Sequence, residues 1–276
     1  MTVMKERVDM LLVSRGLFPS REQAQRAVMA GEIYSGQQRI DKPGNKVKPD
    51  MPLEFHGHKL PYVGRGGLKL EKALTVFPVS VQEQIMLDIG ASTGGFTDCA
   101  LQRGARLVYA LDVGYNQLAW KLRCDERVVV MERTNFRYCT RADFMEGPPS
   151  VATIDVSFIS LEKILPPLAG ILQPGGNALV LIKPQFEAGR EDVGKRGVVR
   201  DLAVHDRVVA HMLTFAEDSG FVVGGLDFSP ITGGDGNIEF LAWLCLQPER
   251  LPAFDWRKQY KFTVSAAHRA FSAPKE

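Results

Sequence analysis

The sequence predicts an α/β fold: an open, Rossmann-like, mostly parallel sheet with an antiparallel last strand, preceded by a small α+β unit. Three observations carry this. An apolar run ends in the glycine-rich turn of Ile85-Met-Leu-Asp-Ile-Gly-Ala-Ser-Thr-Gly-Gly-Phe-Thr-Asp98, after which Cys99, Ala100 and Leu101 continue at helical spacing: a strand, a tight loop and a helix start. Beyond it, strand-like and helix-like runs alternate to residue 246, as in a sheet covered on both faces. The first 60 residues instead hold two short helical patterns and a few short strand-like runs.

In order along the chain, Val8, Leu11 and Leu12 pattern a helix between Glu6 and Ser14, stopped by Gly16. Ser20 caps a second helix, with Gln23 completing a capping-box pattern, Ala24, Ala27 and Val28 as its buried stripe, and Gly31 as its stop. Ile33-Tyr34, Ile40 and Met51–Phe55 read as short strands. Residues 61–66 are expected to link a first domain (1–60) to a second (67–248), followed by a basic and aromatic tail (249–276). His56 and His58 supply two ligands at most, so no metal site is predicted. Leu68, Leu70, Ala73, Leu74 and Phe77 pattern a helix that carries Lys69 and breaks at Pro78. Strands are then expected near 85–90, 107–113, 128–132, 151–156, 177–183, 221–228 and 238–246, with helices near 96–103, 115–124, 161–172 and 201–219. Only a hairpin-like return, Ser229 to Asn237, joins the last two strands, which makes the final one antiparallel.

At 276 residues, 45% hydrophobic and 24% charged, the composition is that of a soluble globular protein with room for one large and one small domain. No apolar run approaches a membrane span, and the start lacks the apolar core of a signal peptide. Cys99, Cys124, Cys139 and Cys245 form no C-x-x-C pair and read as reduced thiols of a cytoplasmic protein. Residues 1–72 hold 13 Lys and Arg against 8 Asp and Glu, whereas the remaining 204 hold 21 against 24. A basic front end on a near-neutral body suits an anionic partner.

The chemistry concentrates at the glycine loop and the strand ends. Gly90, Gly94 and Gly95 permit a sharp turn and close ligand approach, and Asp112, about 20 residues on, closes a second strand where a carboxylate can accept from ribose hydroxyls. Ser92 departs from G-x-G-x-x-G, and Asp88 suits a cationic amino-acid cofactor better than a pyrophosphate. S-adenosylmethionine is therefore expected rather than NAD. Asp155 and Lys183 close two further strands, Glu239 opens the reversed last strand at the same rim, and Lys69 stands within reach.

Two resemblances follow from longer motifs. Arg7-Val-Asp9, Arg15-Gly16, Ser20-Arg21, Ala24 and Gly31-Glu-Ile-Tyr-Ser-Gly36 resemble the small RNA-binding domain of ribosomal small-subunit protein four. That likeness implies RNA contacts for Arg7, Arg15, Arg21, Arg26, Lys46, Lys48 and, beyond that domain, Arg65. Tyr62-Val-Gly-Arg-Gly-Gly-Leu-Lys-Leu70, Leu87-Asp-Ile-Gly-Ala-Ser-Thr-Gly-Gly-Phe96, Asp155-Val-Ser-Phe-Ile-Ser160, Lys183-Pro-Gln-Phe-Glu187 and Gly236-Asn-Ile-Glu239 resemble the TlyA, or haemolysin A, family, with Gly64 where that family's motif has Ser.

The second resemblance implies a class I S-adenosylmethionine-dependent methyltransferase sheet of FtsJ-like type acting on cytidine 2′-hydroxyls in ribosomal RNA of one or both subunits. It maps a catalytic tetrad onto Lys69, Asp155, Lys183 and Glu239. Lys183 is expected to meet the substrate hydroxyl, as base or as stabilising cation, with Lys69 as a repelling neighbour that lowers its proton affinity, while Asp155 and Glu239 orient the lysines and the sulfonium side of the cofactor. Cofactor contacts are expected from Asp88, Gly90, Ala91, Ser92, Thr93, Gly94, Gly95 and Phe96 for the amino-acid part, from Asp112 for ribose, from Val113 and Asn135 near adenine, and from Asp155. Phe186 to Val199 reads as a lid. Competing readings are a non-catalytic ribosome-assembly factor, a membrane-active haemolysin, a pseudouridine synthase and an NAD-dependent dehydrogenase. The pseudouridine synthase reading leaves the cofactor loop and both lysines unexplained, and cofactor co-purification separates the dehydrogenase.

Overall fold

The computed structural model describes residues 5–18, 20–57, 60–247 and 254–272. His58 and, in the tail, residues 249–253 and 273–276 lie outside them. The chain forms two compact units, Met1–Leu60 and Pro61–Glu276.

The first unit runs β1 (Glu6–Arg7), α1 (Val8–Ser14), α2 (Arg21–Met29), β2 (Ile33–Ser35), β3 (Gln38–Arg39), β4 (Lys46–Val47) and β5 (Glu54–Phe55). β1 pairs with β4, and β2 lies between β3 and β5, all antiparallel. Ser20 caps α2 by accepting from the Gln23 amide at 3.3 Å. Val8, Leu12, Ala24, Val28 and Ile33 form a fully buried core. Beside them Asp9, also fully buried, accepts two bonds from Arg7 at 2.9 Å, one from Arg21 at 2.8 Å and one from Gln25 at 2.7 Å.

The larger unit contains α3 (Gly66–Val76), β6 (Ile85–Ile89), α4 (Gly95–Gln102), β7 (Leu107–Leu111), α5 (Trp120–Arg123), β8 (Val128–Met131), β9 (Val151–Ile154), α6 (Leu165–Ile171), β10 (Asn177–Ile182), α7 (Pro184–Glu187), α8 (Leu202–Asp218), β11 (Phe221–Phe228), β12 (Phe240–Leu246) and α9 (Trp256–Ser272). Its seven-stranded sheet has the order β11-β12-β10-β9-β6-β7-β8, and β12 runs antiparallel to both neighbours as the short return dictates. Successive residues of β6 serve opposite faces. Leu87 and Ile89 join the core under α6, α8 and α9, and Met86 joins the core under α3 and α4.

Two helical expectations need correction. Within 115–124 only Trp120–Arg123 is helical, because Asn116 takes φ +57° and the preceding stretch forms a loop. The expected helix 161–172 is a 3₁₀ turn, Leu161–Lys163, followed by α6. Pro166 and Pro167 lack N–H groups and fit only a helix's first turn. The tail forms α9, whose Trp256, Val264 and Ala267 are buried.

Candidate active site

The glycine loop rests on Asp88. Its Oδ2 accepts from the Thr97 amide at 3.0 Å and the Thr97 hydroxyl at 2.7 Å, and its Oδ1 accepts from Thr153 on the neighbouring strand at 3.0 Å. Burial pushes this carboxyl up to about 6 against those bonds. Asp88, expected among the cofactor contacts, is fully buried and through these bonds ties β6 to α4 and to the neighbouring strand. Above it, Gly90 has φ +87°, and a Cβ there would sit 2.6 Å from the Asp155 carbonyl oxygen, so the loop passes directly over Asp155. Ser92 takes φ +49° and points its amide at Asp112 Oδ2, 2.8 Å away, while Gly114 donates to Asp112 Oδ1 at 2.7 Å. Each oxygen keeps a free lone pair. The Thr134 amide donates to the Asp112 carbonyl at 3.0 Å, which brings Asn135 alongside. Asn135 Oδ1 caps the Phe136–Tyr138 turn, accepting from the Arg137 amide at 3.2 Å, and Val113 is largely exposed at the same edge.

Of the expected linker 61–66, residues 62–66 pack within the larger unit. Tyr62 is buried and donates to Glu71 at 2.9 Å, and the Val63 amide donates at 2.8 Å to Asp98, a buried carboxylate that Lys121 also pairs at 2.9 Å. A Cβ on Gly95 would lie 2.8 Å from the Gly67 amide and 3.0 Å from the Gly64 carbonyl oxygen, so only glycine lets the starts of α3 and α4 meet. At Gly64 itself a Cβ would crowd the Thr93 hydroxyl at 2.7 Å.

That contact sets Lys69, one turn into α3, over the strand ends. Its Nζ lies 2.7 Å from Glu239 Oε2 and 3.2 Å from Asp155 Oδ2, while Lys183 Nζ lies 2.5 Å from Asp155 Oδ1. Register brings these groups together, since Ile182 pairs with Phe240 and each neighbours a tetrad residue. Lys69 and Lys183 are each 7% exposed and Glu239 2%. Burial pulls the Lys69 ammonium down, but Asp155 and Glu239 outweigh it and hold the group above its ordinary value. For Asp155 burial pushes up, and the two lysines outweigh it downward. The expectation of Lys69 as a repelling neighbour of Lys183 is corrected here: Asp155 stands between the two and pairs with both.

Several participants escaped the sequence reading. Ser157 Oγ accepts from Lys183 at 3.2 Å. Phe158 is 92% exposed with φ +64°, a strained conformation for a bulky residue, and its ring lies 5.1 Å from that of Phe186, itself 5.9 Å from Lys183 Nζ. Both sit inside quoted motifs, so the signal was position beside Asp155 and Lys183. Asn237, 1% exposed, accepts from the Val199 amide at 2.9 Å and donates to the Gly197 carbonyl at 2.9 Å, fastening the expected lid to the segment that carries Glu239 into β12.

Glu187 accepts from the Leu161 amide at 2.9 Å, and burial pushes its carboxyl up to about 7. Between roughly pH 4.5 and 7 the folded chain binds a proton here that the unfolded chain has lost, so stability falls as pH rises through that window. Glu187→Gln, which keeps an acceptor, is expected to exceed wild type by about 2 kcal/mol at pH 8 and to lose that advantage at pH 4, read by urea unfolding.

In the first unit Arg7 and Arg21 hold Asp9, Arg15 donates to the Met51 and Pro49 carbonyls at 2.7 and 2.5 Å, and Arg26 pairs with Glu22. Lys46, Lys48 and Arg65 are exposed. Among the described residues no group of three His, Cys, Asp or Glu is arranged to hold a metal, and no helix is long and apolar enough to cross a membrane.

Fold and rim together define a methyltransferase-type α/β domain joined to a small RNA-binding-type unit. The family described as FtsJ-like methyltransferase matches residues 62–246, and the S4 domain matches 6–53. A Bacillus subtilis (strain 168) protein, YqxC, is 65% identical over 244 residues, covering 88% of this chain and 87% of its own. The 16S/23S rRNA (cytidine-2′-O)-methyltransferase TlyA of Mycobacterium tuberculosis (strain H37Rv) is 40% identical over 269 residues, covering 97% and 98%. A solved structure from Streptococcus thermophilus is 56% identical with a TM-score of 0.79 and 98% coverage of both chains. The chain belongs to the TlyA family of FtsJ-like methyltransferases that carry an S4 domain.

Proposed function

We propose that this chain transfers a methyl group from S-adenosylmethionine to the ribose 2′-hydroxyl of a cytidine in ribosomal RNA. The observation that carries the reading is the largely buried, paired set Lys69, Asp155, Lys183 and Glu239 at the sheet rim beside the glycine loop.

The cofactor fits the residues present. Gly90, Ala91, Ser92, Thr93, Gly94, Gly95 and Phe96 form a loop whose close pass over Asp155 leaves no room for a side chain at Gly90. Asp112 retains acceptor capacity for ribose hydroxyls, and Val113 and the free amide donors of Asn135 border the adenine position. When bound, S-adenosylmethionine supplies a methyl group on a positively charged sulfur. Lys183 meets the hydroxyl, held in place by Asp155 and Ser157; as the free amine it takes the proton lost from that hydroxyl, and the ammonium so formed is paired by Asp155. Lys69 remains a cation and fixes Asp155 and Glu239, so the reacting groups need little rearrangement. Phe158, exposed and strained beside this site, stacks on the target base, and Phe186 backs it. The S4 unit grips RNA through Lys46, Lys48, Arg26 and the exposed parts of Arg7, Arg15 and Arg21, with Arg65 at the start of α3. The reading puts the protein in the cytoplasm with its substrate.

The test is transfer of labelled methyl from S-adenosylmethionine to unmodified small and large ribosomal subunits and their stripped RNAs. Alkali-resistant label in at least one RNA is expected, with Phe158→Ala lowering kcat/KM about tenfold or more while cofactor affinity holds. No transfer to any of the four substrates overturns the reading.

A further inference from the structure

α9 begins ten residues beyond the segment matched by the methyltransferase family, and its two faces differ sharply. Trp256, Val264 and Ala267 are buried against the body. The opposite stripe carries Lys258, Lys261, Phe262, Ser265 and Arg269, at the spacing of a single helix face. The helix contains no Asp or Glu between Trp256 and Ser272. Phe262 is 71% exposed, and the Arg269 guanidinium lies 5.9 Å from its ring. Lys258 pairs with Asp255 across open surface, a weak contact that a phosphate can displace, and Lys261 and Arg269 have no ion-pair partner among the described residues.

The direction of α9 links this stripe to the reaction. At one end Trp256 donates to Glu217, near the end of α8, at 3.0 Å. Toward the other end His268 meets His205, near the start of α8, at 2.7 Å, and the Phe271 ring lies 6.1 Å from that of Phe228. Phe228 pairs in the sheet with Phe240, the residue after Glu239. The C-terminal end of α9 therefore lies toward the end of the sheet that holds Glu239, and from Lys258 to Arg269 the stripe spans about 16 Å.

We propose that the outward face of α9 is a second RNA-contact surface. Lys258, Lys261 and Arg269 grip phosphates of the strand flanking the target nucleotide, and Phe262 stacks on one of its bases. This rests on the RNA methyltransferase reading for the identity of the RNA. A basic amphipathic helix also suits an anionic membrane, but that use requires the apolar face, which here is packed into the protein. Cations alternating with an exposed aromatic ring are instead the composition of a single-strand RNA groove.

The experiment compares the full-length protein with Lys258→Glu/Lys261→Glu/Arg269→Glu, with the corresponding triple alanine variant and with Phe262→Ala. Binding of unmodified ribosomal RNA is measured across a salt series, alongside methyl transfer, S-adenosylmethionine binding and sedimentation with phosphatidylserine vesicles. Unchanged cofactor affinity certifies that each variant is folded. The triple variants are expected to bind RNA at least tenfold more weakly, to lose about two units from the slope of log K against log salt, and to raise KM with kcat retained. Phe262→Ala is expected to weaken binding several-fold without altering that slope. An unchanged slope and KM in both triple variants overturns the proposal and leaves the transfer reaction standing. A lost slope with no transfer to any RNA overturns the reaction and leaves the surface. Wild-type protein that binds vesicles but no RNA overturns the surface in favour of lipid headgroups.

Discussion

Lys183→Ala is expected to lower methyl transfer about 10³-fold while S-adenosylmethionine affinity holds, the largest catalytic effect expected of any single change and equivalent to about 4 kcal/mol of barrier. The loss is large because the side chain leaves more than a gap. Asp155 Oδ1 sits 2.5 Å from Lys183 Nζ, so removal strips a largely buried carboxylate of one of its two cations at the point where the hydroxyl must be held. Cofactor binding survives because the glycine loop and Asp112 hang on β6, β7 and Asp88, not on β10. Lys183→Arg separates the roles. A guanidinium keeps the charge but cannot act as a base, so a loss as deep as alanine's assigns proton removal to Lys183. Retention of a tenth or more of wild-type kcat assigns it charge stabilisation instead. Equal transfer by wild type and Lys183→Ala would remove the tetrad from the mechanism.

What the sequence could disclose follows from periodicity. Strand ends were legible because apolar runs break at Asp155, Lys183 and Glu239, and the short return from β11 to β12 required the reversal that carries Glu239 back to the rim. Pairing was not legible. Lys69, Asp155, Lys183 and Glu239 could be brought to one place from spacing, but that Asp155 bridges both lysines depends on side-chain geometry that no spacing encodes. The surroundings of Asp88 were hidden for a related reason. A carboxylate beside a glycine loop looks the same in sequence whether or not it also braces the loop, and only the bonds from Thr97 and Thr153 reveal the brace. Residues 61–66 read as linker from glycine and proline content, yet Gly64 and Gly66 permit close helix packing. The α9 pattern was present in Trp256, Tyr260, Val264, Ala267 and Phe271, but its basic character hid an apolar stripe.

Asp9→Ala is expected to unfold the first unit of the full-length protein while leaving the larger one folded. Among the described residues Asp9 is the one fully buried charge in a unit of about 60 residues, a size whose core supplies only a few kcal/mol. It gathers β1 and α2 through Arg7, Arg21 and Gln25, and losing these charge-assisted bonds costs about 3 kcal/mol. The Arg7 guanidinium, against burial, holds this carboxyl well below the usual carboxylate range. The folded chain therefore binds fewer protons than the unfolded one, so the contribution is fully present above about pH 4 and disappears as pH falls through the folded value. Hydrogen exchange reads both effects. Amides of α1 and α2 in Asp9→Ala should exchange near the unfolded rate at pH 7, with β6 and β10 still protected, and RNA affinity should fall while S-adenosylmethionine affinity holds. Wild-type protection of α1 and α2 in the variant would mean that the apolar core of Val8, Leu12, Val28 and Ile33 suffices. Arg7 and Arg21, no longer needed to hold the fold, would then be free for RNA.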